Sequence, residues 1–536
     1  MSTAPEDSIT PLFKGRRVDR GEVVVGLVGA MGTDLDQICT ELGAAFVSVA
    51  YRVEHVRVSS LIDDFMASEK IDIPVTEKRT KIDRLMDQGD ALRDGLNHGA
   101  AAAVLAVGRI AHSRAVAAAA DGTDPDEERQ NVATVIRQLK HPQEVDALRS
   151  IYGPRFALLG VWSTEEQREA AVERRLQSQH PGMTEEWYAH HIRRLMVRDE
   201  KDASRQFGQR VRETYELADA FVTVTPGHDS ASEVARFVRL LFGSYFETPT
   251  ADEHAMFVAA GASLRSSDAG RQVGAVVVDT EGEVVVSGVN EIPKPHGGQY
   301  WVGDVPDLRD FKIGYDENAR QKVAIVADIL SSLSDSGWLD PKFKETKPEK
   351  LARDAMSNGG PLEKSRIADL LEFARVAHAE MAAICTAARR GVSLAERTMY
   401  TTTYPCHECA RLIIASGISR VIYVDPYPKS QVSKMFSNEV SETASKNMVS
   451  FEPYSGVAPR FYRSVFRMTG RSRDNLTGTY GTWKPDEALP RVVTDAQLLN
   501  NLVTAEGQFY EAAFELLVNT DWAPAIERSF DETSEI

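Results

Sequence analysis

Cysteine is scarce in this chain: four residues in 536, at Cys39, Cys385, Cys406 and Cys409. So few exclude a secreted disulfide framework. A close pair in a reducing compartment points instead to a metal or redox site. No low-complexity tract is present, and no run of about 18 apolar residues reads as a transmembrane helix. The opening stretch MSTAPEDSIT lacks the apolar core of a signal peptide, so a cytoplasmic protein is expected. Positive charge is also in deficit, with 62 Lys and Arg against 79 Asp and Glu and a net charge of −17. A chain this acidic is a poor general binder of DNA or RNA, whose affinity comes largely from neutralising phosphates. Local basic pockets for a small anion remain compatible with it.

What is present is the composition of a globular protein, 43% hydrophobic and 26% charged. The length exceeds one ordinary core and implies two or three domains. Glu22 to Val28, EVVVGLV, reads as a buried strand, followed by the loop GAMGTD and by LDQICTELG. In that last piece Leu35, Ile38, Cys39 and Leu42 repeat at helical spacing, and Thr33 or Asp34 can cap the helix. AAFVSVAYRV after Gly43 reads as a second strand, and FALLGVW from Phe156 and AFVTV from Ala220 supply further inner strands. Strand, glycine loop, helix and strand open a doubly wound α/β domain.

The loop resembles a phosphate-binding loop, with Gly26, Gly29 and Gly32 three apart. The usual pattern ends in Gly-Lys-Ser/Thr, where the lysine reaches the phosphates. Here Gly32 is followed by Thr33 and Asp34, so the lysine is missing and a carboxylate stands where phosphates would be repelled. The expectation is a P-loop-like fold that has lost phosphoryl transfer, with a plain structural turn as the alternative. Gly26, Gly29, Gly32, Thr33 and Asp34 are the candidate nucleotide-binding residues. The arginine-rich stretch from His190 to Arg210 reads either as a nucleotide-clamping lid or as a helix whose arginines pair with Asp and Glu.

In the second half, RQVGAVVVDTEGEVVVSGVN gives two β-rich runs joined by the hairpin signal DTEG. A charged stretch, about residues 295–366, reads as a surface insertion. HAEMAAICTAARRG then places His378 and Glu380 in the first turn of a helix ended by Gly391. Cys385, at helical spacing with Met381, Ile384 and Ala388, reads as core. RTMYTTTY is a strand, Pro405 starts a helix carrying Cys406 and Cys409, and ISRVIYVDPYP is another strand. Thiolates are favoured at a helix N-terminus, where the first amide N–H groups are unpaired. Two thiolates and one imidazole make three ligands of a tetrahedral zinc, and no fourth ligand at proper spacing is apparent. His407, between the cysteines, is expected to point away. Glu380 can lie beside the metal as a proton carrier. His378-Ala379-Glu380 with Pro405-Cys406-His407-Glu408-Cys409 is the H-x-E…P-C-x-x-C signature of zinc-dependent nucleobase deaminases.

From about Glu253 to Arg473, without the insertion, the sequence resembles deoxycytidylate deaminases. QVGAVVV and SGVN resemble the first hairpin of that family, which implies that Asn290 binds the deoxyribose; a strand-end turn residue is the plainer reading. Over most of its length the chain is similar to bacterial anti-phage dCTP/dCMP deaminases, through GLVGAMGTDL, LKHPQEVDALRSIYG, LADAFV, HAEMAAI, TTTYPCHECARLIIASGI, VDPYPKS and GVAPRFY. That resemblance implies an α/β protein: a P-loop kinase-like regulatory domain over residues 1–248, a cytidine-deaminase-like αβα domain over 249–480, and a C-terminal extension over 481–536. It implies Zn²⁺ held by His378, Cys406 and Cys409, with Glu380 catalytic. It also implies dCTP or dCMP as substrate, depletion of deoxycytidine nucleotides during phage infection, a regulatory nucleotide at the N-terminal domain and a homo-oligomer. Arg271, Lys429 and Arg265 are candidates for the substrate phosphates, and Tyr427 for the pocket wall.

Three other readings share these residues. A housekeeping dCMP deaminase needs the same site. A nucleic-acid-editing deaminase shares the zinc signature but should also show a basic or aromatic strand-binding surface. A nucleotide kinase with a structural zinc module would need the missing loop lysine.

Overall fold

The computed structural model describes residues 20–68, 80–123, 129–202, 205–343, 345–363, 365–426, 430–443, 445–467, 473–474, 476–491 and 505–509. The chain divides into two compact units, Met1–His254 with Pro453–Ile536, and Ala255–Glu452.

The first unit is built on parallel strands β1 (Val23–Gly29), β2 (Arg52–Arg57), β3 (Val132–Arg137), β4 (Phe156–Trp162) and β5 (Ala220–Thr223), in the order β5-β4-β1-β3-β2. The crossover direction reverses along the chain, and right-handed connections then place helices on both faces. This is why β1 is buried at all seven residues and reads as an unbroken apolar run. Helices Leu35–Ser48 and Ser230–Leu241 share one core with the sheet, through Leu35, Ile38, Leu42, Val234, Phe237 and Val238.

Several expectations change here. The stretch after Gly43 is helical to Ser48, and the second strand begins at Arg52. The buried stripe Leu35, Ile38, Leu42 continues through Ala45 and Phe46, so a 3.6-residue period passes across the glycine and outweighs its low helix propensity. Gly26 and Gly29 are strand residues. A Cβ at Gly26 would meet Leu139 Cδ1 at 2.8 Å, and one at Gly29 would meet the carbonyl oxygen of Val161 at 3.2 Å. Helix Ala101–Asp121 is long and apolar enough by length and composition to cross a membrane, although polar residues interrupt its apolar run. Its side from Ala101 to Ile110 is buried within the first unit.

The second unit is a mixed sheet. Its strands are β6 (Gly274–Val278), β7 (Val284–Val289), β8 (Thr398–Thr403), β9 (Arg420–Asp425), β10 (Val440–Ser441) and β11 (Val449–Pro453), ordered β10-β11-β9-β8-β6-β7. β6 is antiparallel to β7 and β8, whereas β8 and β9 are parallel. The parallel pair requires a crossover, and helix His407–Ala415 supplies it. The insertion forms helices Glu317–Asp335 and Pro348–Met356, packed around Val326, Ala327 and Ala352. Helix Ala379–Arg390 buries Ala379, Ala383 and Ala387, a small-residue stripe at i, i+4, i+8. Cys385 lies off that stripe and is exposed, contrary to its reading as core.

The expected boundary at residue 480 is replaced by one at Glu452. β12 (Gly456–Val457) pairs antiparallel with β5 of the first sheet, and the Val457 amide donates to Glu253 Oε1 at 2.9 Å. Such a non-local pairing leaves no periodic trace in sequence.

Candidate functional site

His378 is the residue before helix Ala379–Arg390, with extended backbone at φ −62°, ψ 157°. Cys406 takes the same place before helix His407–Ala415, at φ −71°, ψ 168°. Neither side chain caps its own helix, so both are free to face one another. His378 Nδ1 lies 3.3 Å from Cys406 Sγ and 3.3 Å from Cys409 Sγ. All three donor atoms fall within 4.8 Å of one another. Zinc–nitrogen and zinc–sulfur bonds at a tetrahedral angle would hold N and S about 3.6 Å apart. The donor set and its spacing therefore fit one zinc ion. His407 is outside the cluster.

Cys406 is pushed down to about 4, first by a hydrogen bond from the Cys409 thiol and then, against burial, by His378. Cys409 is pushed well up by the Cys406 sulfur beside it and by burial. His378 is raised to about 9, chiefly by its hydrogen bond to Cys406. Two sulfurs and an imidazole nitrogen held this close form a donor set in which a bound dication would take the place of protons. Glu380 is 4% exposed, and its Oε2 lies 3.4 Å from Cys409 Sγ. Burial raises its carboxyl above the usual range.

Gly288, which sequence reasoning missed, sets the position of His378 and Glu380. A Cβ there would lie 2.1 Å from the Ala379 carbonyl oxygen and 2.4 Å from the Ala383 amide nitrogen. The helix backbone thus rests directly on β7. A glycine inside a strand is the signal for such close approach. Gly288→Ala is expected to lift the helix, destabilise the second unit by about 2–3 kcal/mol and weaken zinc binding. Urea denaturation and competition with a chelator would measure both.

Residues 249–425 match the family model of the cytidine and deoxycytidylate deaminase zinc-binding region. Over 54 residues the chain is 46% identical to the deoxycytidylate deaminase of Enterobacteria phage T4, covering 10% of this chain and 28% of that protein. Over 198 residues it is 26% identical to the probable deoxycytidylate deaminase of Drosophila melanogaster, covering 37% and 66%. The dCMP deaminase of cyanophage S-TIM5, solved with dCMP and dUMP, aligns at 17% identity and a TM-score of 0.22, over 39% of this chain and 99% of that one. The chain spans under a third of the length of the phage relatives it matches. Residues 249–425 carry a deaminase-type zinc-binding region.

Around the deaminase region, the residues expected to meet substrate have other partners. Asn290 Nδ2 donates to the Arg271 carbonyl at 2.7 Å, and its Oδ1 accepts from the Val273 amide at 2.7 Å. The Asn290 side chain thus fixes the 271–273 backbone. Arg271 forms an ion pair with Asp425 at 2.8 Å, a partner that sequence reasoning did not identify. Arg265 stacks over Trp301 at 4.0 Å and donates to Gln299 Oε1 at 2.8 Å. Tyr427 and Lys429 lie outside the described residues.

In the first unit, the groups of the glycine loop are used by the fold. Gly32 has φ +90°, and a Cβ there would sit 2.3 Å from the Arg168 carbonyl oxygen. The Thr33 hydroxyl accepts from Ser163 Oγ at 3.1 Å, and Asp34 caps helix Leu35–Ser48 by accepting from the Gln37 amide at 3.0 Å. The Met31 amide donates to Asp199 Oδ2 at 2.7 Å, and the Lys140 ammonium holds the other oxygen of Asp199. A buried carboxylate thus occupies one of the loop's backbone donors. Asp199 lies on helix Glu185–Glu200, two of whose three arginines are paired: Arg194 makes two bonds to Asp83, at 2.7 and 2.8 Å, and Arg198 reaches Asp87 and Asp90 at 2.7 and 2.6 Å. These contacts match the paired-helix reading of the arginine-rich stretch.

Proposed function

We propose that this protein hydrolytically deaminates deoxycytidine nucleotides, converting dCMP and dCTP to dUMP and dUTP with release of ammonia. The observation that carries this reading is the buried Glu380 carboxyl beside the sulfur–nitrogen cluster, 3.4 Å from Cys409 Sγ. Zinc, when bound by His378, Cys406 and Cys409, lowers the pKa of water from about 15.7 toward 7. Glu380 takes a proton from the attacking water and passes it to cytosine N3 as the C4–O bond forms. It then takes the proton of the new C4 hydroxyl and delivers it to the amino group, so that C4–O becomes the carbonyl, the C4–N bond breaks and ammonia leaves. Burial of Glu380 suits this shuttling, because it favours the protonated carboxyl between transfers.

Purified chain offered dCMP, dCTP, deoxycytidine and a cytosine-containing oligonucleotide should release ammonia from the mononucleotides only, with zinc near one equivalent. Ammonia from the oligonucleotide would favour an editing enzyme. Silence on all four, with zinc present, would reject deamination.

The biological setting we infer is depletion of dCTP in the cytoplasm during phage infection, by a homo-oligomer whose first unit responds to a nucleotide. This reading is supported by motif likeness along both halves of the chain. A housekeeping dCMP deaminase is the alternative. dCTP pools measured in infected and uninfected cells decide between them: a fall confined to infection supports defence, and a constant flux supports housekeeping.

A further inference from the structure

β2 and β3 are parallel neighbours in register, and both end on arginine, with Arg57 opposite Arg137. Adjacent strands lie about 4.8 Å apart, so two guanidinium groups leave the sheet edge side by side. Like charges so placed repel. Arg175, on helix Glu165–Gln179, lines the same cleft. Of the three, Arg137 is paired with Asp36. Neither Arg57 nor Arg175 forms an ion pair or side-chain hydrogen bond among the described residues. Arg175 is exposed, and partial desolvation, followed by the charges of Arg137 and Arg57, holds its guanidinium below the usual arginine range.

The cleft around them has a volume of about 1200 Å³, far more than a bare phosphate needs. It lies at the carboxyl ends of the parallel strands, where the order reverses around β1, which is where open α/β sheets bind ligands. Val58, Ser59 and Ser60, the first turn of helix Val58–Ser68, also line it and bring unpaired amide N–H groups to an anion. Ile62, Ile82 and Met86 add apolar surface. Seven Lys and Arg side chains and four carboxylates line the cleft, in a chain where Asp and Glu outnumber Lys and Arg 79 to 62. The local excess of positive charge therefore runs against the composition of the whole chain.

We propose that Arg57, Arg137 and Arg175 form the polyphosphate subsite of a nucleoside polyphosphate bound in this cleft, beside the glycine loop whose Met31 amide Asp199 already occupies. The proposal rests on the reading of the first unit as nucleotide-responsive and gives that reading an address. It is independent of the zinc chemistry.

The test is calorimetric titration of the full chain with ATP, a purine nucleotide chosen so that a cytosine site in the second unit is not read. ATP should bind, with affinity falling as salt rises. Arg57→Gln with Arg175→Gln should weaken it by more than about tenfold, and Arg175→Gln alone should do so in part if the double variant folds poorly. Arg52→Gln, at the other end of β2, should bind like the parent. Tripolyphosphate should bind more weakly than ATP, and equal affinity would overturn the nucleoside part of the assignment. Undiminished ATP binding by the arginine variants would overturn the site while leaving a nucleotide-responsive unit standing. No binding by the parent chain would overturn both.

Discussion

Glu380→Ala should retain zinc at the parental stoichiometry and lose deamination of dCMP by about a thousandfold or more, toward the upper range for removal of a general acid–base group. The two halves of that result come from different atoms. The donors that fit the metal are His378 Nδ1 and the sulfurs of Cys406 and Cys409, and none of them is altered. The carboxyl that is removed has no other described side-chain partner than Cys409, so the surrounding packing keeps its anchors. Glu380→Gln is the sharper companion. It preserves size and a hydrogen-bonding oxygen but cannot carry the proton to N3. Elemental analysis together with ammonia release measures both variants. Turnover within tenfold of the parent, with zinc confirmed, would remove Glu380 from proton transfer. Loss of zinc in both variants would assign it to metal retention instead.

The site was legible in the sequence because helix ends are written locally. Pro405, Gly391 and the short-range order of His378, Glu380, Cys406 and Cys409 place each group within one turn of a helix start. Strands that are buried on both faces, such as β1 and β4, were equally plain. What sequence did not reveal depends on distant partners. Cys385 has helical spacing with apolar neighbours, but the alanine stripe is the face that packs, because small side chains allow the helix to lie directly on Gly288. Asn290 is at the expected strand end, yet its amide is satisfied by the 271–273 backbone. The loop glycines looked like one motif, whereas two of them are strand residues admitting large neighbours and the third meets the backbone of Arg168. Asp199 reaches the loop from 168 residues away. A period can place a residue on a face, but it cannot name what that face meets.

The same limit hid the interaction with the largest expected effect on stability. Arg114 sits in the apolar helix Ala101–Asp121 at 2% exposure. Its Nε and Nη2 each donate to Glu22 at 3.0 Å, and its Nη1 and Nη2 reach Glu506 at 2.5 and 3.1 Å. Glu22 is further held by Arg129 Nε at 2.8 Å. Glu506 belongs to the C-terminal extension, so one buried guanidinium ties the start of β1 to a segment nearly 500 residues later. Arg114→Ala leaves Glu506 and one face of Glu22 without their partner in a dry setting and should destabilise the first unit by about 3–5 kcal/mol. Urea denaturation at pH 7 reads this, with zinc content and the fold of the second unit as controls. The pH dependence gives the mechanism. Burial alone would raise the Glu22 carboxyl, but its hydrogen bonds and charge pairing with Arg114 and Arg129 bring it below the usual value. A depressed carboxyl contributes stability that is present above its unfolded pKa, about 4.3, and is lost as pH falls through the folded value. Without Arg114 the burial effect gains weight, and the carboxylate form costs stability at neutral pH. The deficit of Arg114→Ala relative to the parent should therefore be largest near pH 7 and shrink as pH approaches 4. A deficit constant across that range would make Arg114 a packing element, and no deficit at pH 7 would show that the network does not hold the extension in place.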